Sequence, residues 1–250
     1  MQSKFLFPKF LVLFNLALLL LLGSSFILPF ESSIAKQKKK SSIFNLPSKG
    51  APGPRSSAGG RSACPEVQKN MTAMLPVKNF GYTLKARPSL LVYIPYQSME
   101  ENQLEIELRL REQKIKKIIM DAPKKAGVVY IPFPSKFSNL AENEPYRWIL
   151  TYICKTPEGS ETVPVSGGVK RIQTSQAKEI LQKVASANFE DTVRTYGEHG
   201  LWYDLIDELA QKKITDPQNK EISNLWNDLL SESDVNLSPF SNENLYKIEK

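Results

Sequence analysis

Tyr146-Arg147-Trp148-Ile149-Leu150-Thr151-Tyr152-Ile153-Cys154 is the stretch from which the rest of the chain can be read. At a period of two, Tyr146, Trp148, Leu150, Tyr152 and Cys154 share one face and Arg147, Ile149, Thr151 and Ile153 the other. Beyond Arg147 both faces are largely apolar, and the composition is aromatic and β-branched. That combination predicts a central β-strand covered on both sides. The strand ends on one of only two cysteines in the chain, which marks it as a site for a covalent staple.

Upstream, apolar runs of strand length alternate with turn signals. Ser89-Leu90-Leu91-Val92-Tyr93-Ile94 is bounded by Pro88 and Pro95. Leu104, Ile106, Leu108 and Leu110 alternate with Glu105, Glu107, Arg109 and Arg111, which puts the charges on a solvent face. Ile115 to Ile119 and Gly127-Val128-Val129-Tyr130-Ile131 follow. Downstream, Thr162 to Ile172 contains Pro164, which cannot donate a ladder hydrogen bond. It reads as an edge strand bulged at Gly167-Gly168. Six short strands without intervening helices predict an antiparallel, immunoglobulin-like β-sandwich over 63–173.

After Gln173 the period becomes 3.6. Ala177, Ile180, Leu181 and Val184 form a first stripe behind Thr174 or Ser175 as cap. Asn188 caps a second helix with Glu190 and Asp191 in its first turn, where negative charge is favoured. Gly200 breaks it. A third helix sets Trp202, Leu205, Ile206 and Leu209 against a solvated face of Asp204, Asp207 and Glu208, and Asp216-Pro217 ends that unit. A fourth presents Ile222, Leu225, Trp226, Leu229 and Leu230. Phe189, Tyr196, Gly200, Trp202 and Pro217 fall where one degenerate tetratricopeptide repeat has large, aromatic, small, aromatic and proline residues, so the middle pair resembles that repeat. Thr192 and Val193 replace its Leu-Gly. One repeat cannot bury its own face, so the flanking helices are expected to pack on it. The fold class is therefore α+β, with a tetratricopeptide-like helical bundle over 174–235 and a tail over 236–250.

The formal charge of +7 is concentrated at the N-terminus. Residues 36–61 hold seven basic side chains and no acid, and 1–35 hold Lys4 and Lys9 against Glu31. From Ser62 onward 24 basic residues face 25 acidic ones, which excludes a nucleic-acid footprint over the folded part. Lys4 and Lys9, the apolar run Phe10 to Leu22 and Ser33-Ile34-Ala35 have the layout of a signal peptide over 1–35. Phe10 to Phe30 is also about the ~20 residues of an uncleaved anchor. Either way the body is exported to the periplasm or beyond. Residues 36–62, rich in Lys, Ser, Gly and Pro, read as a flexible tether that makes weak contact with anionic membrane or wall. In an exported chain Cys64 and Cys154, 90 positions apart, are expected to pair.

The ordered series is a signal, a Gly/Arg linker, a cysteine, Pro88-Ser89-Leu90-Leu91-Val92-Tyr93-Ile94-Pro95, Gly127-Val128-Val129-Tyr130-Ile131-Pro132, Tyr146-Arg147-Trp148 and a second cysteine. Gly200-Leu201-Trp202-Tyr203-Asp204 and Trp226-x-x-Leu229-Leu230 close it. It resembles the exported cyanobacterial family called domain of unknown function 928, over about 50–235. The resemblance implies an accessory protein of the cell envelope and brings no activity, cofactor or catalytic residues.

No nucleophile elbow, zincin helix or phosphate-binding glycine loop is present. His199, at a helix end, reads as structural. The expectation is a non-enzymatic module without metal, cofactor or evident small-molecule substrate. It would bind another envelope or secreted protein through its helical half, with Trp202, Tyr203 and Trp226 as contacts. One alternative is a glycan-binding sandwich using Tyr93, Tyr130, Tyr146, Trp148 and Tyr152. Another is a hydrolase assembled from Glu142, Glu144 and Asp204.

Overall fold

Two β-sheets and four helices share one hydrophobic core. The computed structural model describes residues 42–58, 64–97, 101–156 and 159–248. The expected signal or anchor and Lys36–Lys40 lie outside them. Among the described residues no helix is long and apolar enough to cross a membrane.

The strands are β1 (Thr72–Ala73), β2 (Phe80–Thr83), β3 (Leu90–Ile94), β4 (Gln103–Leu110), β5 (Gln113–Asp121), β6 (Gly127–Ile131), β7 (Pro145–Thr156), β8 (Gly159–Arg171) and β9 (Leu245–Lys247). One sheet has the order β1-β3-β6-β9 and the other β2-β8-β7-β4-β5. The helices are α1 (Thr174–Ala185), α2 (Phe189–Glu198), α3 (Trp202–Thr215) and α4 (Lys220–Ser231).

The stretch Tyr146–Cys154 lies in β7, the middle strand of the five-stranded sheet, antiparallel to β4 and β8. Its aromatic face is buried, with Leu150 and Tyr152 fully enclosed. The opposite face, Arg147, Ile149, Thr151 and Ile153, is only half-buried, so the strand is covered fully on one side. The alternating charges of β4 pair with neighbours: Glu105 with Lys117 at 2.6 Å, and Glu107 with Arg109. Such exposed pairs each contribute ~0–1 kcal/mol, so they orient side chains more than they hold the sheet.

Two expectations about the sheets give way. The sandwich is not wholly antiparallel, because β2 runs parallel to β8 and β9 parallel to β6. Nor is β8 an edge strand along its length. β7 covers one side throughout, while β2 covers the other over Gly168–Arg171. Pro164 sits before β2 begins, where a missing N–H costs no ladder bond, and Ser166 N bonds instead to Pro54 O at 2.9 Å. Gly167 and Gly168 form no bulge, since the β7–β8 register runs unbroken. A Cβ on Gly167 would collide with Leu75 and the Trp148 ring, so close packing demands the glycine.

The chain ends also differ from expectation. Residues 42–58 are not a free tether. Ile43 and Phe44 are 2% and 1% exposed. Asn45 N bonds Gly197 O, and the Arg55 guanidinium donates to the carbonyls of Leu75, Val235 and Asn236. At the other end the expected tail supplies β9. Ser41–Lys250 forms one compact unit.

In the helical part, Asn188 caps α2 by accepting from Asp191 N, as its sequence foretells. Gly200 takes φ +67°, a conformation that favours glycine, and ends that helix. The expected cap of α1 is replaced by Glu142, which accepts from both the N and Oγ1 of Thr174. Leu181, expected in the apolar stripe of α1, is 48% exposed.

Cys64 and Cys154 form a disulfide with a Cα–Cα distance of 5.5 Å, tying the segment before β1 to the end of β7. Replacing both with alanine should lower the unfolding free energy by up to ~4–5 kcal/mol, the chain-entropy value for a loop of this length. Denaturant titration of the full chain measures this, and no loss would show that the bridge adds nothing to the packing around it.

Candidate functional site

Trp202, Tyr203 and Trp226, the expected partner contacts, are core residues at 0%, 2% and 1% exposure. Trp202 Nε1 donates to Met74 O at 2.9 Å, and its ring meets Phe44 edge-on. Tyr203 OH accepts from Trp148 Nε1 at 2.8 Å and donates to Gly168 O at 2.9 Å, and burial pushes this phenol's pKa up. Their helical spacing served the interior, leaving none of them for a partner to reach. Tyr93, Tyr130, Tyr146, Trp148 and Tyr152 are also buried, so they form no platform. Glu142 caps α1, Glu144 pairs with Arg111, and Asp204 bonds Leu84 N, so these carboxylates serve separate partners. The His199 ring Nδ1 donates back to Thr195 O at 2.7 Å, a structural bond at the end of α2.

The acidic face of α3 is where the structure overturns expectation most. Asp204 and Asp207 are 1% and 2% exposed, not solvated. Leu84 N donates to Asp204 Oδ2 at 3.0 Å. Asp207 receives the Tyr130 hydroxyl at 2.6 Å, Gln211 Nε2 at 2.8 Å and the Lys85 ammonium. Ser89 Oγ in turn donates to Tyr130 OH at 2.6 Å. Residues from β6, the segment between β2 and β3, and α3 thus meet in one polar cluster inside the core. Loss of solvent raises the Asp204 carboxyl to about 6, against its bond to Leu84 and the nearby Lys85 charge. Burial pulls Lys85 down, but its bond to Asp207 and the surrounding carboxylates carry it above its ordinary value. A charged helix face packed against a half-buried lysine looks the same in sequence as one facing water.

A cleft of about 720 Å³ lies elsewhere. Its walls come from the β5–β6 connection (121–125), the end of α3 with Pro217, and the segment 243–248 around β9. Pairing with β6 places that segment: Val128 N bonds Asn244 O at 2.8 Å and Ile248 N bonds Tyr130 O at 3.0 Å. Tyr246 OH reaches across to Lys125 O, and burial raises this phenol to about 12. Lys124, Lys125, Lys213 and Lys247 line the cleft against two acids, Asp121 and Glu243. Glu243 is already paired with Lys69. Lys213 meets only Ser223 Oγ at 3.3 Å, and Lys247 lies 6.0 Å from the Tyr130 ring centre. Among the described residues no carboxylate pairs with Lys125, Lys213 or Lys247. A cleft of this size and charge can hold an anionic ligand. Its signals were the Lys124-Lys125 pair and the apolar Leu245, Tyr246 and Ile248 in a supposed tail. Among the described residues no group of three or more His, Cys, Asp or Glu could hold a metal ion.

The architecture so far defines an α+β protein with one disulfide, a buried acidic cluster and a lysine-lined cleft. Residues 56–245, more than half of the chain, match the family described as Domain of Unknown Function (DUF928), and the chain belongs to that family. Neither the curated proteins nor the solved structures give a match.

The raised Asp204 pKa makes a signed prediction. Below the ordinary value near 3.8 the carboxyl is protonated in both states and its burial costs little. As pH rises through about 6 the folded state has to ionise it, and stability is lost. Asp204→Asn should therefore gain on the native chain by up to ~3 kcal/mol between about pH 4 and pH 7. Urea titrations at the two pH values measure the difference, and parallel pH dependence of the two proteins would refute it.

Proposed function

We propose that this protein is an exported, non-enzymatic accessory module of the cell envelope that works by holding another envelope component in the lysine-lined cleft. The observation that carries the reading is the convergence of three unpaired lysines, from three separate segments, on that cleft. Part of the wall, Lys213 and Pro217, comes from the helical half to which sequence reading assigned partner binding. Export is supported by the sequence layout of 1–35 and by the disulfide, a bond that persists in oxidising compartments. The expected contact of Lys36–Lys40 with anionic membrane or wall belongs to the same proposal.

The finer likenesses do too. The paired helices α2 and α3 support a tetratricopeptide-like ancestry, with Lys212 lying over the Phe189 ring at 5.7 Å. Two sheets over a shared core support an immunoglobulin-like ancestry, although the parallel pairs β2–β8 and β6–β9 depart from that pattern.

Affinity capture tests the reading. Full chain and a K125E/K213E/K247E variant are immobilised and exposed to envelope extract, and retained protein and polysaccharide are both assayed. Material held by the native chain and lost by the charge-reversed one is the expected result. Equal retention by both, or none by either, would contradict a binding role for the cleft.

A further inference from the structure

We infer that the cleft is a site for an acidic saccharide, an oligosaccharide segment whose carboxylate or phosphate groups meet Lys125, Lys213 and Lys247. The inference rests on the binding role above and adds the chemistry of the ligand. Each lysine is fixed to a different element: the β5–β6 connection, the last turns of α3, and β9. All three line one cleft of about 720 Å³, more room than a single small ion fills. They suit negative charges spread along a ligand.

The competing anions within the protein are few. Glu243 is occupied by Lys69, which leaves Asp121 as the acid on the cleft wall without a described ion pair. An ammonium without a carboxylate partner keeps donors turned to water, and an anion that displaces that water gains charge-assisted hydrogen bonds. Pro217, Leu245 and Tyr246 add apolar surface to the same lining. Tyr246 is half-buried and held by its bond to Lys125 O, so its ring is already in place when a ligand arrives. Flat apolar walls and charged groups in one lining match the alternating C–H faces and charged substituents of an acidic sugar chain. An acidic peptide would satisfy the same lysines but has no flat face for these walls.

Isothermal titration of the full chain with trigalacturonate, maltotriose phosphorylated on each glucose, plain maltotriose and triglutamate separates these cases. At least one of the two acidic saccharides should bind about tenfold or more tightly than neutral maltotriose and than triglutamate, a difference of ~1.4 kcal/mol. Which of the two does so tells carboxylate from phosphate. Binding should weaken with added salt, and by about tenfold or more in the K125Q/K213Q/K247Q variant. An unchanged melting temperature of that variant shows that folding is not the cause. Maltotriose binding as well as the acidic sugars would overturn the charge requirement, and triglutamate binding as well would overturn the saccharide requirement. No binding by any probe, or binding indifferent to the three lysines, would overturn the site. Lysine-dependent capture from envelope extract would then still stand, so the two readings fail separately.

Discussion

The deepest tie between the two halves of this protein is a buried phenol bonded twice to the five-stranded sheet. Tyr203, on α3, accepts a hydrogen bond from the indole of Trp148 at the centre of the five-stranded sheet and donates one to the Gly168 carbonyl on the next strand. All three groups are cut off from water, and an unmet polar atom at such a place costs ~1–3 kcal/mol. The helix can come this close because Gly81, on β2, offers no Cβ where the Trp202 Cβ packs. Everything else about the helical half follows from that approach. Once α3 lies on the sheets, its aromatic residues fill the core and its acidic residues have no way out to solvent.

Burying two carboxylates is expensive unless they are paired and hydrogen-bonded. The protein offsets the cost with Tyr130 of β6, with Lys85, Ser89 and the Leu84 amide between β2 and β3, and with Gln211 of α3 itself. Tyr130 links this cluster to the cleft, because its ring lies under Lys247 and its backbone carbonyl holds Ile248. The lysine-lined wall therefore stands on the same strand that braces α3. A ligand in the cleft would meet a surface set by the core, not by a loose tail.

The fold was legible where local pattern and tertiary environment agree. The strands at Leu90–Ile94, Gln103–Leu110, Gln113–Asp121, Gly127–Ile131 and Pro145–Thr156 announce themselves by β-branched and alternating residues, and the four helices by their apolar spacing. The disulfide followed from two cysteines in a chain that reads as exported. What escaped was short or depended on distant partners. Thr72–Ala73, Phe80–Thr83 and Leu245–Lys247 are too brief to show a period. Ile43-Phe44 is a two-residue anchor within a stretch whose composition reads as a tether. Trp202, Tyr203 and Trp226 looked available because an aromatic helix face carries no mark of what covers it. Asp204 and Asp207 misled in the opposite direction, since charge normally means water. The cleft left only faint signals, as its lining spans Asp121 to Ile248 and is brought together by the β6–β9 pairing and the Tyr246–Lys125 bond.

The dependence of the whole on Tyr203 requires the sheets and helices to unfold as one body. Native-state hydrogen exchange in increasing low denaturant measures this directly, because each amide reports the free energy of the opening that exposes it. The most protected amides of Trp202–Thr215 should converge with those of Pro145–Thr156 on one global opening energy, and in Tyr203→Phe the two sets should fall together. If α3 exchanges through a cheaper opening while the Pro145–Thr156 strand stays protected, the helical half is a separate unit and this account is wrong.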